Sequence, residues 1–366
     1  MHRNPDDRSS AAPEPPSAPR ASTVGRLDHA LRTAVAASEA DVLLLSGGLD
    51  SSLLAGLRAA SDQTLPLMIT VGLAGEGPCP AHAALPYPCN GDLASAAQVA
   101  EHLDLDWRPL RLDVATALAH LDDLMRLRTS FDLGLLNDIP IIAGLRHARS
   151  LGARSFWTGD DADTLFGGYR FLRTEADWPA FLASRIPAID PPARAIGEHL
   201  AMAPGFPFLA PGVIAVARFL RWDDLHVSIP ASERSSPPSF VDQFDPDLMA
   251  APTRPWGKAI LRRIADDGLP GDIAWRPKTD LEFGSGMCAL EGPLAAEVTS
   301  VDRNRLDAMG IRWFNDAHRG AYLRFEALGL RIPTPEMGDY PCISCAGGVR
   351  VGRRHCPTCG AWPADR

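Results

Sequence analysis

The residues with the clearest chemical meaning form a short loop that begins at Ser46. An apolar stretch over residues 42–45 leads into Ser46-Gly47-Gly48-Leu49-Asp50-Ser51, and apolar residues at helical spacing follow. Backbone N–H groups, hydroxyls and the start of a helix can together bind one anion, as phosphates require. No Gly-Lys-Ser/Thr follows, so the loop is not of the Walker type. An ordinary capped turn is the alternative, which the preceding strand disfavours.

Carboxylates lie inside this loop and in a second segment. Asp50 would repel a bound nucleotide unless a divalent cation lay between them, so Mg²⁺ is implied. Three more carboxylates, those of Asp160, Asp161 and Asp163, follow a short strand that ends at Thr158. The mutual repulsion of three such close negative charges costs free energy unless a cation binds between them. A solvated turn would also explain it, but together with the loop we interpret this segment as the second half of a metal site.

Alternating strands and helices must position these two segments. Helical spacing of apolar residues and short apolar runs are the patterns that distinguish the two kinds of element. Their alternation implies an α/β fold with a parallel sheet. The predicted elements are helices over residues 24–37, 53–57, 93–103, 213–220 and 258–265, and strands over residues 42–45, 67–71 and 156–158.

Four sequence blocks follow one another along the chain: residues 46–52, 92–103, 158–169 and 258–262, the last followed by Leu269-Pro270 and Arg276-Pro277-Lys278. In this order they make the chain similar to the synthetase domain of the asparagine synthetase family, which includes the β-lactam synthetases. The first block alone occurs in many PP-loop enzymes, but the Gly-Gly-Tyr and Lys-x-x-Leu-Arg blocks point to this family. The resemblance covers roughly residues 26 to 290.

The resemblance implies a PP-loop (adenine nucleotide alpha hydrolase-like) domain that binds ATP and Mg²⁺. Lys278 matches a lysine that neutralises charge as pyrophosphate leaves, which the chemistry also requires, and Lys258 is a second candidate cation. Solvated lysines are the alternative. Asp160 matches a candidate base for the incoming amine. The implied ligands are Leu45, Val71, Thr158 and Gly159 for adenosine, Ser46, Gly47, Gly48, Asp50 and Ser51 for pyrophosphate, and Asp50 and Asp163 for Mg²⁺.

The sequence departs from the family pattern in three places. The family begins with Met-Cys, whose Cys is the glutaminase nucleophile, whereas this chain begins Met1-His2, so we expect no glutaminase domain. Thr164 stands where the family carries an acidic residue after the Mg²⁺ aspartate, and Pro207-Phe208-Leu209-Ala210 replaces its Pro-Phe-Leu-Asp block. The last two changes affect the half that shapes the acceptor pocket, which puts an aspartate substrate in doubt.

Cysteines at the C-terminus predict a metal site. Cys342-x-x-Cys345 and Cys356-x-x-Cys359 resemble a zinc ribbon, in which four thiolates hold one structural Zn²⁺. Disulfide pairing is the alternative, which a cytosolic chain disfavours. We interpret His355 as a residue that does not bind the metal. Cys79 and Cys89 could supply only two ligands, which is too few for a second metal site, so we interpret them as unligated thiols.

Composition limits the partners of the chain. Lys and Arg total 36 against 45 Asp and Glu, a net charge of -9 over 366 residues, which argues against a nucleic-acid partner. No run approaches the ~18 apolar residues of a membrane span, and the N-terminus has no apolar signal sequence. We therefore expect a cytoplasmic protein with no membrane partner.

We divide the chain into three parts. Residues 1–23, rich in Pro, Ser, Ala and Arg, are predicted to be a disordered leader because they bury too little apolar surface to offset their ordering entropy. Residues 24–335 are the predicted PP-loop ATP-binding domain. Residues 336–366, where the composition changes to Cys, Gly and Arg, are the predicted zinc ribbon.

The predicted activity is that of an ATP-dependent, AMP-forming ligase. It adenylates a small-molecule or peptide carboxylate, releases pyrophosphate, and passes the acyl group to ammonia or an amine, with a separate glutaminase as a candidate ammonia source. A PP-loop enzyme that thiolates tRNA or a base is the alternative, disfavoured by the acidic charge and the Gly-Gly-Tyr block. A non-catalytic binding protein is a third, disfavoured by intact Asp50, Asp163 and Lys278.

Overall fold

A five-stranded parallel sheet lies at the centre of the computed structural model, which describes residues 21–75, 90–175 and 177–365. Its strands are arranged in the order β3-β2-β1-β4-β5. The chain thus adds β2 and β3 on one side of β1 and then β4 and β5 on the other side, which makes the gap between β1 and β4 a switch point in the strand order. In sheets of this kind ligands bind outside the carboxyl ends of the strands at such a switch point. The strands are β1 (Val42–Leu44), β2 (Leu67–Leu73), β3 (Trp107–Leu112), β4 (Ser155–Trp157) and β5 (Ala203–Gly205).

Helices cover the sheet and fill the C-terminal half of the chain. Short 3₁₀ helices cover Leu133–Asn137, Arg170–Thr174, Ile186–Ala188, Pro207–Leu209, Phe240–Phe244 and Met287–Leu290. The α-helices are α1 (Ala21–Ala37), α2 (Leu49–Ala59), α3 (Asp92–Leu103), α4 (Val114–Arg128), α5 (Ile139–Ser150), α6 (Ala162–Phe166), α7 (Trp178–Arg185), α8 (Pro192–His199), α9 (Pro211–Ala217), α10 (Trp222–Leu225), α11 (Pro246–Ala250), α12 (Ala259–Ala265), α13 (Gly271–Ala274), α14 (Leu281–Gly284), α15 (Glu291–Ala296), α16 (Ser300–Asp307) and α17 (Asp316–Ala327).

The predicted parallel α/β sheet is confirmed, with differences at the ends of elements. β2 continues past its predicted end to Leu73 because Gly72 and Leu73 still pair with β3. α1 begins at Ala21, inside the predicted leader, whose first twenty residues lie outside the described part of the chain. The helix predicted over 213–220 is α9, which ends before Arg218.

The strand β3 was not expected from the sequence. Its residues, Trp-Arg-Pro-Leu-Arg-Leu, carry two arginines and Pro109, which a central strand would exclude. β3 lies at the edge of the sheet, where the missing N–H of a proline leaves no ladder hydrogen bond unmade.

Successive residues of β1 belong to different hydrophobic clusters, as the alternation of side chains along a strand requires. Val42 belongs to a cluster with α4, α5 and α17, whereas Leu43 belongs to a cluster with α1, α2 and α12. The sheet is therefore covered on both faces, and the loop over residues 46–51 emerges between the two layers. None of the described helices is long and apolar enough to span a membrane.

Two small antiparallel pairs complete the architecture. β6 (Val227–Pro230) pairs with β7 (Thr253–Trp256), directly before the segment that carries Lys258. β8 (Asp339–Pro341) pairs with β9 (Gly348–Arg350) in the C-terminal tail. The tail is packed onto the α4 side of the sheet, because its four cysteines and Val349 belong to the same buried cluster as Phe131 and Phe325.

Candidate active site

The loop after β1 is held in shape by its own two serines. The Ser46 backbone N–H donates to the Ser51 hydroxyl at 3.1 Å, and the Gly48 N–H donates to the Ser46 hydroxyl at 3.2 Å. Gly47 has a left-handed backbone, with φ of 68°, and a Cβ there would collide with the α3 backbone at Ser95 and Ala96. The two hydroxyls therefore face the start of α2, while Gly47 allows α3 to pack closely behind the loop.

Lys258 joins the loop to the acidic segment after β4. Its Nζ lies 2.5 Å from Asp50 Oδ2 and 2.8 Å from Asp163 Oδ1, so one ammonium group is shared by two carboxylates. Lys258 is buried and has a left-handed φ of 57°, an uncommon conformation for a lysine that marks local strain. A Cβ at Gly168 would collide with both Asp163 and Lys258, which explains the glycine at this position.

Lys278 provides a second cation beside Asp163. Its Nζ lies 2.5 Å from Asp280 Oδ1, 3.8 Å from Asp163 Oδ2 and 5.0 Å from the centre of the Tyr169 ring. Its backbone pairs with the segment around Ser239, which fixes the position of this lysine.

These contacts separate the protonation behaviour of the two metal-ligand candidates. Burial opposes the charge of Asp163, but Lys258 and Lys278 together hold its pKa below the usual value. Burial raises the pKa of Asp50, against the attraction of Lys258. Burial also opposes the charge of Lys278, whereas Asp163 and Asp280 raise its pKa above the usual value. The ionised form is therefore favoured for Asp163 and Lys278.

A cavity of about 470 Å³ opens beside these charges. Leu44, Ile69 and Ile141 give it an apolar part next to β1, β2 and α5, which suits a flat heterocyclic ring. The predicted site residues that line it are Leu45, Ser46, Asp50, Ser51, Val71, Thr158, Gly159, Asp160, Asp163 and Lys278. The structure thus brings most of the predicted set around one space.

An adjoining cavity of about 80 Å³ lies behind the loop and is lined by two of the three remaining predicted active-site residues. Gly48 and Lys258 line it, whereas Gly47 packs against α3. Five basic and three acidic side chains line this smaller space, which suits an anion. The basic ones are Arg173, Lys258, Arg262, Arg276 and Lys278.

Arg276 and Asp92 were not predicted as site residues. Arg276 donates to Asp92 Oδ1 at 3.0 Å and to the Ser46 carbonyl at 3.3 Å, so it ties the loop to the start of α3. Burial raises the pKa of Asp92 to about 6, although Arg276 opposes the shift. Both residues lie inside blocks that carried the family resemblance, and that was the only indication of their position.

Three further carboxyl groups line the main cavity, and we call Asp138, Asp160 and Glu282 the acidic wall. Asp160 accepts a hydrogen bond from the Thr158 hydroxyl at 2.8 Å, and Glu282 accepts one from the Asn137 amide at 3.0 Å. Burial raises the pKa of Asp160 to about 6 and that of Glu282 to about 7. Asp138 and Glu282 were not predicted, because no local motif contains them.

Asp50 and Asp163 have the chemistry expected of Mg²⁺ ligands. Mg²⁺ takes oxygen ligands and is commonly held by one or two carboxylates together with substrate phosphates. Asp50 Oδ1 is buried and has no hydrogen-bond partner, so one ligand atom is left available beside the loop. The residues present therefore fit the ion.

The four C-terminal cysteines also fit a metal. All are buried, none forms a disulfide, and their Sγ atoms lie within 4.8 Å of one another. The contacts of 3.9 Å between Cys342 and Cys359 and 3.6 Å between Cys345 and Cys356 match the separation of about 3.8 Å that a tetrahedral site with Zn–S bonds of about 2.3 Å requires. The alternative of disulfide pairing is thus not observed among these four cysteines.

The other predicted sulfur and imidazole groups lie elsewhere. His355 Nε2 lies 3.1 Å from Asp132 Oδ2, at the contact between the tail and the main domain. Cys79 and Cys89 lie outside the described residues.

The sequence is similar to those of several known proteins. The family model described as asparagine synthase matches residues 25–224. A glutamine-hydrolysing asparagine synthetase from Asparagus officinalis is 26% identical over 284 residues, covering 74% of this chain and 43% of that protein. Asparagine synthetase B from Escherichia coli is 22% identical over 322 residues, covering 84% of this chain and 54% of that protein. The chain thus spans about half the length of the curated relatives it matches.

Solved structures are more distant. A structure of NMN synthetase from Francisella tularensis has a TM-score of 0.29 at 14% identity and covers 84% of this chain and 92% of that one. A tRNA thiolase from Methanococcus maripaludis has a TM-score of 0.27 at 14% identity, with 53% and 62% coverage.

Proposed function

The chain belongs to the asparagine synthase family, and from that premise we propose that it is an ATP-dependent ligase that adenylates a carboxylate and joins it to ammonia or an amine. The observation that carries the proposal is the bridge from Asp50 through Lys258 to Asp163. This bridge brings the hydroxyl-rich loop and the acidic segment to one place, which is where an ATP triphosphate would need both cations and metal ligands.

In the proposed complex, ATP spans the two cavities. Adenosine would contact Leu45, Val71, Thr158 and Gly159 in the main cavity. The phosphates would lie on residues 46–51, with the leaving pyrophosphate directed toward the smaller basic cavity.

Charge stabilisation is the main contribution of the chain to the first step. Mg²⁺ held by Asp50 and Asp163 would supply positive charge to the phosphate oxygens. A carboxylate oxygen of the substrate attacks the α-phosphorus, the bond from that phosphorus to the bridging oxygen breaks, and pyrophosphate leaves with the electron pair. Lys258 and Lys278 both lie beside Asp163, one of the two proposed Mg²⁺ ligands. At this place their ammonium groups would offset the negative charge of the departing pyrophosphate.

The second step forms the amide. A nitrogen lone pair attacks the acyl carbon, the bond from that carbon to the AMP oxygen breaks, and AMP leaves with the electron pair. The nitrogen must lose a proton, and Asp160 is the proposed acceptor. Its pKa of about 6 leaves most of the carboxylate ionised at neutral pH, so it can accept that proton.

The tail and the partners complete the proposal. We assign Zn²⁺ to Cys342, Cys345, Cys356 and Cys359 in a structural role, because a four-cysteine site leaves no ligand position open. Ammonia would come from solution or from a separate glutaminase, and the working location would be the cytoplasm.

The identity of the products tests this proposal. The purified protein is incubated with MgATP, ammonium chloride and a panel of amino acids and related carboxylic acids, and nucleotides are separated by chromatography. AMP and pyrophosphate are expected in equal amounts, and only when a suitable carboxylate is present. Formation of ADP and phosphate would contradict the proposed reaction.

A further inference from the structure

Asp138 is the feature of the main cavity that the proposed reaction leaves unexplained. It lines the cavity and is 7% exposed. It occupies the position before α5, but its side chain accepts no capping hydrogen bond. Within residues 21–75, 90–175 and 177–365, its carboxylate has no hydrogen-bond or ion-pair partner, and Arg128 acts on it only through space.

An unpaired buried carboxylate costs free energy that the fold must supply. Burial raises the pKa of Asp138 to about 7, and the negative charge of Asp160 adds to the shift. This cost in free energy is offset when a ligand of opposite charge binds. The Asp138 carboxylate lies against the space where such a ligand would bind.

The neighbouring acids do not have cations either. Asp160 is bonded to the Thr158 hydroxyl and Glu282 to the Asn137 amide, both neutral groups. Lys278 also lines the cavity, but its ammonium is bound by Asp280 and lies near Asp163. The acidic wall therefore holds three carboxyl groups without a cation of the described chain paired to any of them.

The spacing of these groups does not suit a metal ion. Among the described residues, the cysteine cluster is the only set with three or more possible ligand atoms within 4.8 Å of one another. The carboxyl groups of the acidic wall are thus too far apart for one small ion. An organic cation, whose N–H groups extend in several directions, can reach separated acceptors.

We propose that the acidic wall, through Asp138, binds a protonated amine beside the adenylation site. This inference rests on the proposed function, because that reaction requires both a carboxylate and a nitrogen compound in this space. The amine has two possible sources, the nitrogen donor itself or a cationic group carried by the carboxylate substrate. If it is the donor, the ammonium loses one proton to solvent before the neutral nitrogen attacks, and Asp160 accepts the second proton as the amide forms.

Binding of a simple amine tests the shared chemistry. Titration calorimetry is performed on the full chain saturated with Mg²⁺ and α,β-methylene-ATP, with butylammonium chloride and the neutral butanol as probes. Butylammonium should bind saturably and butanol should not, because only the former carries charge. Asp138→Asn should weaken butylammonium binding by about tenfold or more and leave nucleotide affinity within about twofold.

Controls make both outcomes decisive. Asp247→Asn removes the same charge at an exposed position and should leave butylammonium binding unchanged. A structural role for Asp138 predicts a lower melting temperature in Asp138→Asn, whereas a ligand-binding role predicts an equal or higher one. Equal binding of the two probes, or normal butylammonium binding by Asp138→Asn, would overturn the inference. Failure of the wild type to bind the nucleotide would instead contradict the proposed function.

A kinetic pair of assays identifies the source of the amine. Exchange of pyrophosphate into ATP needs the carboxylate but no nitrogen donor. Ornithine carries a side-chain ammonium that norvaline lacks, whereas both carry the α-ammonium. A KM for ornithine raised by about tenfold in Asp138→Asn exchange assays assigns the cation to the carboxylate substrate. Unchanged exchange with a similarly raised KM for ammonium assigns it to the donor. If neither KM changes, Asp138 does not bind an amine.

Discussion

Two sides of the main cavity differ in whether their buried carboxylates are paired with a cation of the chain. On one side lies the loop over residues 46–51, where the proposed function puts the ATP phosphates, and we call it the phosphate side. There Asp50 and Asp163 share the ammonium of Lys258, and Lys278 lies beside them. On the acidic wall, Asp138 has no ion-pair partner among the described residues. The phosphate side is thus charge-balanced before any ligand binds, which keeps its geometry fixed. The charges of the acidic wall are balanced only when a cationic ligand binds, so the identity of that ligand would indicate the class of substrate.

The cysteine cluster extends this comparison, since it too depends on a ligand. Four buried thiols converge, and their thiolate forms need an external cation.

The largest expected effect follows from removing one of these thiols. Cys356→Ser should reduce bound zinc from about one per chain to a small fraction and lower the melting temperature strongly, because a structural site contributes its binding free energy to folding. Metal analysis by plasma mass spectrometry and calorimetry measure both effects. Cys288→Ser, a buried cysteine outside the cluster, is the matched control and should keep its zinc. Unchanged zinc in Cys356→Ser would refute the assignment.

The next largest effect concerns the phosphate side. Asp50→Asn should lower pyrophosphate release by about a hundredfold or more, the usual scale for one preorganised charge partner in a closed site. Asp161→Asn is the matched control, because Asp161 has a left-handed φ of 64°, which asparagine tolerates, and does not line the main cavity. It should reduce turnover far less. Normal turnover by Asp50→Asn would remove the basis for a metal at this position.

The unpaired charge of Asp138 in the acidic wall should make the free energy of unfolding depend on pH. The pKa of Asp138 is raised to about 7 in the folded chain, above an unfolded value of about 4. Its charge therefore destabilises the fold progressively as pH rises between these values, and fully above the folded pKa. Asp138→Asn should raise the melting temperature by a few degrees at about pH 8 and by less at about pH 5. A variant that is less stable at both values would show that Asp138 is balanced in some other way.

The phosphate side could be anticipated from the sequence, whereas most of the acidic wall could not. The loop and the segment that carries Asp163 are contiguous blocks after short strands, so local spacing predicts both the sheet and the convergence of its carboxyl ends. Lys258 and Lys278 were found only through the family resemblance. Asp138 lies directly before α5 and Glu282 lies in α14, far apart in the chain, and their neighbourhood depends on packing that no local pattern encodes.

The same distinction applies to the tail. Cysteine spacing predicted the cluster, because metal ligands must recur at short intervals. Spacing gave no indication that the tail packs against the segment around Ser130, where the Phe131 N–H and the Ser130 hydroxyl both donate to the Thr358 carbonyl. Two of the three groups in that contact, the Phe131 N–H and the Thr358 carbonyl, are backbone groups, which are the same in every sequence.

The smallest expected effect is at this contact, where His355 lies 3.1 Å from Asp132. His355 is 53% exposed, so solvent screens the pair and it should contribute less than about 1 kcal/mol. The Asp132 carboxylate raises the pKa of His355. The stabilisation is therefore present in full below the ordinary value of about 6.5 and is lost as pH rises through the raised pKa. His355→Gln should lower the free energy of unfolding slightly at about pH 6 and not at about pH 9. Its zinc content should equal that of the wild type, because the imidazole is held by a carboxylate and not by the metal. Loss of zinc from this variant would make His355 a ligand and would require one of the four cysteines to be free.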